Sequence, residues 1–350
     1  MKRLILKFLG GVALFAAVAS FAIFMWGRSD PEGCVAGVDP AVALANQNVG
    51  SEVYSDRCFE HDGLNLHVVE AQGDNPDAEV VLFIHGFPTI WYSMIRPMEA
   101  MRGDYRVIAI DGLGAGLSDA PSEVEPYRLA AMADHLDALI ADVGVSHVHL
   151  VGHDWGAAFA GAYAQSRADR IASLTLMSAP PQNIAVAMLE TSERQRAISQ
   201  YVERLKGATP ALALLTGTRG RLASGPQNHF EAGRMSAEEA EVLQDATSDL
   251  RRIDRHINWY RANLPAPDAI SQSDYWPSRD ARLEVPTLLI WGNDDTIFDP
   301  AFIALMEASA TDLTVLRLDG VGHAPQLEAT TLVNEALARH IEESRPDTDE

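Results

Sequence analysis

From Glu79 to about Glu343 short apolar runs of strand length alternate with stretches of helical periodicity. EVVLFIHGF, YRVIAIDG, HVHLVGHD, IASLTLMSAP, VPTLLIWGNDD and LTVLRLDGVGH read as buried strands. WYSMIRPMEAMRG, LAAMADHLDALIADVG, the stretch after Asp154 and the run ending near Glu343 read as the helices between and after them. Strands that are apolar on both faces need helices on both sides. The alternation therefore predicts an α/β fold with a mostly parallel sheet. Upstream, RCFEHDGLNLHVVEAQG reads as a hairpin turning at Asp62-Gly63, which makes eight strands in all.

The alternation breaks once. Between about Pro181 and Arg282 the strand signal disappears, and polar, helix-compatible segments are interrupted by GTRGRLASGP and PAPDAISQSDYWP. A helical block inserted after the sixth strand is expected to form a cap over the carboxyl edge of the sheet, where open α/β sheets bind ligands. The expected organisation is a membrane anchor or signal segment at 1–27, a loose linker at 28–55, and a core at 56–182. The helical cap follows at 183–281, the second part of the core at 282–343, and a disordered tail at 344–350.

The N-terminus differs from the rest. Lys2, Arg3 and Lys7 precede an uncharged apolar run from Phe8 to Gly27, close to the ~20 residues that span a bilayer. The run exceeds the roughly 7–15 residues of a cleaved signal's apolar region and ends in Met25-Trp26 rather than small residues. It reads as an uncleaved anchor, with a signal peptide cleaved near Ala-Val-Ala-Ser-Phe-Ala as the alternative. Basic residues before the span keep the N-terminus inside, so the remainder is expected in the periplasm or exterior. Cys34 and Cys58 are the only cysteines. An oxidising compartment would let them pair and tie the linker to the first strand, whereas a cytosolic protein would keep two thiols. No lipobox-like run precedes Cys34. The net charge of −22, with lysine confined to Lys2, Lys7 and Lys206, argues against nucleic acid as partner.

VGHDWGAA, Val151 to Ala158, has the shape of a nucleophile elbow, a sharp strand-to-helix turn flanked by glycines, with Asp154 at its tip. Asp295 follows TLLIWGND and His323 follows LTVLRLDGVG, so nucleophile, acid and base fall at strand ends in that order. Asp294 competes for the acid position, and spacing past Trp291-Gly292 favours Asp295. HGFP, His85 to Pro88, ends the third strand. Backbone N–H groups of Phe87 and Trp155 are placed to form an oxyanion hole. Phe87, Pro88 and Trp155 are also the expected pocket residues, with Pro88 a candidate for a cis peptide bond. His85, His153 and Asp111 read as structural.

A carboxylate at an elbow has a chemical meaning. Serine attacking an alkyl carbon would leave an ether, which water does not readily cleave, whereas a carboxylate leaves an ester. A histidine can then direct water onto the carboxyl carbon of Asp154 itself. The substrates that fit are electrophilic sp³ carbons, in epoxides or alkyl halides.

HGFP, GHDWG, WGNDD and VGH resemble the motifs of the α/β-hydrolase-fold epoxide hydrolases, over most of the chain from about Asp56 to Ile341. The resemblance implies that Tyr201, in QRAISQYVERLKG, and Tyr260, in HINWYRANL, are the paired cap phenols that bind the epoxide oxygen and act as general acid. An opening epoxide develops alkoxide character and needs a proton, which a halide does not. The substrate implied is a small apolar epoxide, hydrolysed by water without metal or cofactor. Haloalkane dehalogenases share the HDWG elbow, using the tryptophan indole to hold the halide, so Trp155 does not discriminate. Many of them carry Asn or Glu within HGxP, where this chain has Phe87, and some place the acid after the sixth strand, where this chain reads SAPPQN. A catalytically silent binding protein on the same fold is a further alternative, although no member of the triad is missing. His323-Ala324-Pro325 lacks the bulky aromatic frequent after the base, and DGLGAGLSDAP lacks a basic residue common there.

Overall fold

Asp62 and Gly63 both adopt positive φ, 52° and 75°, the backbone twist that folds a two-residue hairpin. Through this turn β1 (Tyr54–His61) pairs antiparallel with β2 (Leu64–Ala71). β2 in turn pairs antiparallel with β4 (Arg106–Asp111). The remaining strands are β3 (Val80–Ile84), β5 (Val148–His153), β6 (Ile171–Met177), β7 (Thr287–Gly292) and β8 (Leu313–Leu318), all joined by parallel pairing. The order β1-β2-β4-β3-β5-β6-β7-β8 is the expected eight-stranded, mostly parallel sheet. The coordinates are a computed structural model, which describes residues 29–71, 75, 78–209 and 224–345.

Every residue of β3, β5 and β7 is buried, so these central strands have no solvent face. Helix Trp155–Ser166 packs against β3, β5 and β6, and its first ten residues are buried. Small side chains allow that close approach, because a Cβ at Gly156 would stand 2.1 Å from the carbonyl oxygen of Ile84. Two apolar clusters lie on opposite faces of the sheet. One gathers Leu82, Ile84, Leu150, Phe159 and Trp259, the other Val81, Phe83, Val151, Trp91 and Ile341.

The insertion after β6 is helical, as expected, and includes Gln182–Thr191, Glu193–Ile198, Gln200–Lys206, Ser224–Glu231, Ala237–Ala246, Leu250–His256 and Asn258–Asn263. The expected loose linker at 28–55 is different in part. Residues Pro40–Val49 form a helix because Asp39 caps Ala41 N at 2.8 Å, Pro40 starts the first turn, and Gly50 closes the end at φ 76°. Its Ala41, Val42, Leu44 and Ala45 are buried, while Asp39 Oδ2 accepts the Trp91 indole N–H at 2.7 Å. Cys34 and Cys58 form a disulfide. At the other end, Arg345, assigned above to a disordered tail, pairs with Glu79 at 2.7 Å and lies over the Tyr105 ring. Among the described residues no helix is long and apolar enough to cross a membrane. The expected anchor at 1–27 and residues 346–350 lie outside the described residues.

Candidate active site

Asp154 joins β5 to helix Trp155–Ser166 with φ 53° and ψ −120°, a conformation that a side chain rarely adopts. The flanking glycines make the turn possible. A Cβ at Gly152 would lie 2.3 Å from Gly156 O, and one at Gly86 would lie 2.5 Å from Asp154 Cβ. The result is a carboxylate raised off the end of the sheet, with its backbone held by Asp154 N donating to Met177 O at 3.0 Å.

The three residues expected as nucleophile, acid and base converge. Asp154 Oδ1 accepts the backbone N–H of Phe87 at 2.8 Å, and its Oδ2 lies 3.2 Å from His323 Nε2. His323 Nδ1 donates to Asp295 Oδ2 at 2.7 Å. Of the two adjacent carboxylates it is Asp295, fully buried at its side chain, that meets the imidazole. Its other oxygen accepts Ile297 N at 2.7 Å, which fixes the carboxylate plane. Asp294 N instead donates to Val321 O at 2.9 Å, a backbone link between the loops after β7 and β8. The Phe87-Pro88 peptide bond is cis.

The electrostatics follow from this geometry. Burial opposes ionisation of Asp154, but the hydrogen bond and charge of His323, aided by His153 and Phe87 N, hold its pKa below the usual value. Burial likewise opposes charge on His323, yet Asp154 and Asp295 together push its pKa up to about 10. The resting pair is therefore carboxylate and imidazolium. Next to it, burial and the neighbouring His323 drive His153 down to about 4, leaving it neutral. The neutral ring donates from Nε2 to the His323 carbonyl at 2.7 Å and so fixes the base's backbone. The other residues read as structural behave as such. His85 donates to Gly86 O at 2.7 Å and accepts Gly112 N at 3.2 Å, and Asp111 accepts Trp91 N at 2.8 Å and Leu117 N at 3.1 Å.

Above Asp154 a mainly apolar cavity is walled by Trp155, Ala158, Ala179, Leu189, Val202, Leu264 and Phe298, with Tyr201 and Tyr260 facing the same space. Tyr201 stands in helix Gln200–Lys206 and Tyr260 in helix Asn258–Asn263. Both side chains line the same cavity, and the Trp155 ring packs edge-on against Tyr260. Burial, reinforced by the Asp154 charge, raises the pKa of both phenols, so both stay protonated at neutral pH. Tyr260 is held edge-on by Phe87 and Trp155, with ring centroids 5.1 and 4.9 Å away. Phe87 is thus both a backbone donor and a wall behind Tyr260. Of the three expected pocket residues only Trp155 lines the cavity; Phe87 and Pro88 do not.

Several lining residues escaped the sequence reading, among them Gln182, Gln195, Ser199, Ile297 and Phe298. Gln195 Oε1 accepts Asp299 N at 2.7 Å and its Nε2 reaches Ser199 Oγ at 2.9 Å, which ties the cap to the loop after β7. Apart from Ile297, two residues past Asp295, no local motif marks these positions.

A sheet of this order, with Asp154, Asp295 and His323 meeting at its carboxyl edge beneath a helical insertion, defines the alpha/beta hydrolase class. The family model for the alpha/beta hydrolase fold matches residues 79–330. An epoxide hydrolase of Caballeronia sordidicola is 30% identical over 309 residues, covering 80% of this chain and 91% of that protein. Epoxide hydrolase 3 of Xenopus tropicalis is 30% identical over 255 residues, 71% of this chain and 66% of its own length. Among solved structures, an epoxide hydrolase of Vigna radiata superposes with a TM-score of 0.70 at 25% identity, covering 83% of this chain and 99% of the other. One of Bacillus megaterium, solved with an inhibitor, shares the fold at 23% identity and a TM-score of 0.73, over 82% and 100%. The chain belongs to the α/β-hydrolase-fold epoxide hydrolase family.

Proposed function

We propose that the protein hydrolyses a small apolar epoxide to a vicinal diol through an ester on Asp154. The observation that carries this reading is a carboxylate beneath two protonated phenols, Tyr260 buried and Tyr201 partly buried, in a mainly apolar cavity. Tyr201 and Tyr260 hydrogen-bond the epoxide oxygen, Asp154 Oδ2 attacks a ring carbon, and the ring C–O bond breaks. The oxygen takes a proton from a phenol, which water restores, and the imidazolium of His323, its partner charge gone, gives a proton back to water. The product of this step is a hydroxyalkyl ester and a neutral His323.

The high pKa of His323 supports the second step. Part of it comes from the hydrogen bond and charge of Asp154, which disappear on alkylation. The imidazole thereby becomes a base only once the ester exists. It takes a proton from water as the hydroxide adds to the Asp154 carboxyl carbon, with the Phe87 and Trp155 N–H groups stabilising the oxyanion. Collapse expels the diol oxygen, which takes the carboxyl proton, and the resting ion pair returns. Asp295 orients His323 throughout.

The test is a side-by-side assay with a styrene-type epoxide and a bromoalkane, followed by trapping. His323→Gln should be alkylated by the epoxide and then stall, giving one stoichiometric adduct that maps to Asp154 by mass spectrometry. Bromide release without diol formation, or an adduct elsewhere on a folded variant, would overturn the assignment. We also read the N-terminal segment as an anchor that leaves this domain in the periplasm or exterior, a placement supported by the Cys34–Cys58 pairing.

A further inference from the structure

Residues 29–34 lie across the cap. Arg252 donates from Nη2 to Glu32 O and from Nη1 to Ser118 O, each at 2.6 Å, and Arg255 pairs with Asp30 at 3.2 Å. Arg251 reaches Ser29 Oγ at 3.2 Å. All three arginines belong to helix Leu250–His256, which passes through Ile257 into Asn258–Asn263, the helix of Tyr260. The other end of this short segment is fastened to the core. Cys34 N donates to Asp119 Oδ1 at 3.0 Å, and Cys34 is bonded to Cys58 of β1. Gly33 lies so flat on Asp119 that a Cβ would stand 2.6 Å from Oδ1.

The underside of the same helix pair is seated on the loop after β4. Trp259 Nε1 donates to Leu113 O at 2.8 Å, and a Cβ at Gly114 would stand 2.8 Å from His256 N. Helix Leu250–His256 is therefore gripped between this loop and the N-terminal segment, with Arg252 bonded to both. Arg252 and Arg255 are buried. A buried guanidinium holds its partners tightly, because leaving its N–H groups unpaired is costly.

We propose that residues 29–34 are a strap which, clamped by the Cys34–Cys58 bond, positions the helix pair carrying Tyr260 over Asp154. This rests on the role given to Tyr260 above. The strap has a kinetic signature, since Tyr260 acts in epoxide opening while ester hydrolysis belongs to His323 and Asp295, which the strap does not touch. A small displacement of the phenol slows the first step and leaves the second unchanged.

The full chain, oxidised, is compared with the Cys34→Ser/Cys58→Ser variant by hydrogen exchange and by single-turnover kinetics with a styrene-type epoxide. Expected are faster exchange in 250–263 with β5 and helix Trp155–Ser166 unchanged, a fall in Asp154 alkylation of roughly tenfold, and unaltered ester hydrolysis. Unchanged exchange in 250–263, unchanged alkylation, or equal loss of both steps would each overturn the strap. If the double variant does not fold, Asp30→Ala removes only the half-exposed pair to Arg255 and should give the same selectivity at about threefold. A wild-type chain that forms no diol, together with a His323→Gln chain that forms no adduct, would refute the epoxide reading instead, and exchange in 250–263 would still decide whether the strap holds the cap.

Discussion

Asp154 and His323 set each other's charge, and that mutual dependence can be measured. Asp154→Asn removes the carboxylate charge that helps lift His323 to about 10, so the imidazole should titrate closer to the ordinary histidine value. The His323 ring resonance in an NMR pH titration checks this, and an unshifted midpoint would contradict the pairing. The sign carries over to stability. A folded-state pKa raised from 6.5 to about 10 stabilises the fold fully below 6.5 and loses that contribution as pH rises to 10. Over that interval the wild type should lose more stability than Asp154→Asn. The phenols give the second prediction at this scale. Tyr201→Phe or Tyr260→Phe leaves one donor and should slow alkylation in part. The double variant should lose roughly 10²–10⁴-fold, with ester hydrolysis intact. Full epoxide turnover in a folded double variant would remove the tyrosines from the mechanism.

The elbow is the element on which the site depends. Its positive-φ Asp154 is sustained because helix Trp155–Ser166 approaches β3 and β5 through glycine, Gly156 against the Ile84 carbonyl of β3 and Gly152 of β5 against the Gly156 carbonyl. Backbone atoms cannot swing aside as a flexible side chain can. Gly156→Ala should therefore destabilise the fold by ~1–3 kcal/mol or more, seen as a lower urea midpoint at unchanged slope. A midpoint equal to wild type would show that the helix shifts freely. Helix Pro40–Val49 teaches the opposite lesson about legibility. Its signals, Asp39-Pro40 at the start and Gly50 at the end, are present in the sequence, but its buried face is made of small residues and shows little periodicity. Tertiary contact with Trp91 completes what the local pattern leaves weak.

At the scale of the whole molecule the chain joins a charged N-terminal segment and an apolar run to a disulfide-bonded domain. If the run anchors the protein as proposed, a reporter active only outside the cytoplasm and fused after Glu350 should be active, with the protein resisting alkaline carbonate extraction. Release into the soluble fraction with loss of about the first 25 residues would show cleavage instead. Cytoplasmic reporter activity would remove the oxidising compartment and with it the reason for a lasting Cys34–Cys58 bond.

Strand and helix alternation, the capped α/β architecture, and the order of Asp154, Asp295 and His323 were legible because each rests on short-range pattern. Apolar periodicity, glycines at a tight turn, and a functional residue just past a strand are all written within about ten neighbouring residues. What only the folded chain decided depends on segments far apart in sequence. Spacing favoured Asp295 over Asp294, but the distance at which it meets His323 is set by how the loop after β7 turns against the loop after β8. The neutral His153 that steadies the base, the cavity wall from Gln182 to Phe298, and the N-terminal residues gripping the cap arginines come from the same kind of convergence. A side chain's direction and burial follow from packing across the whole molecule, and no local run of residues encodes them.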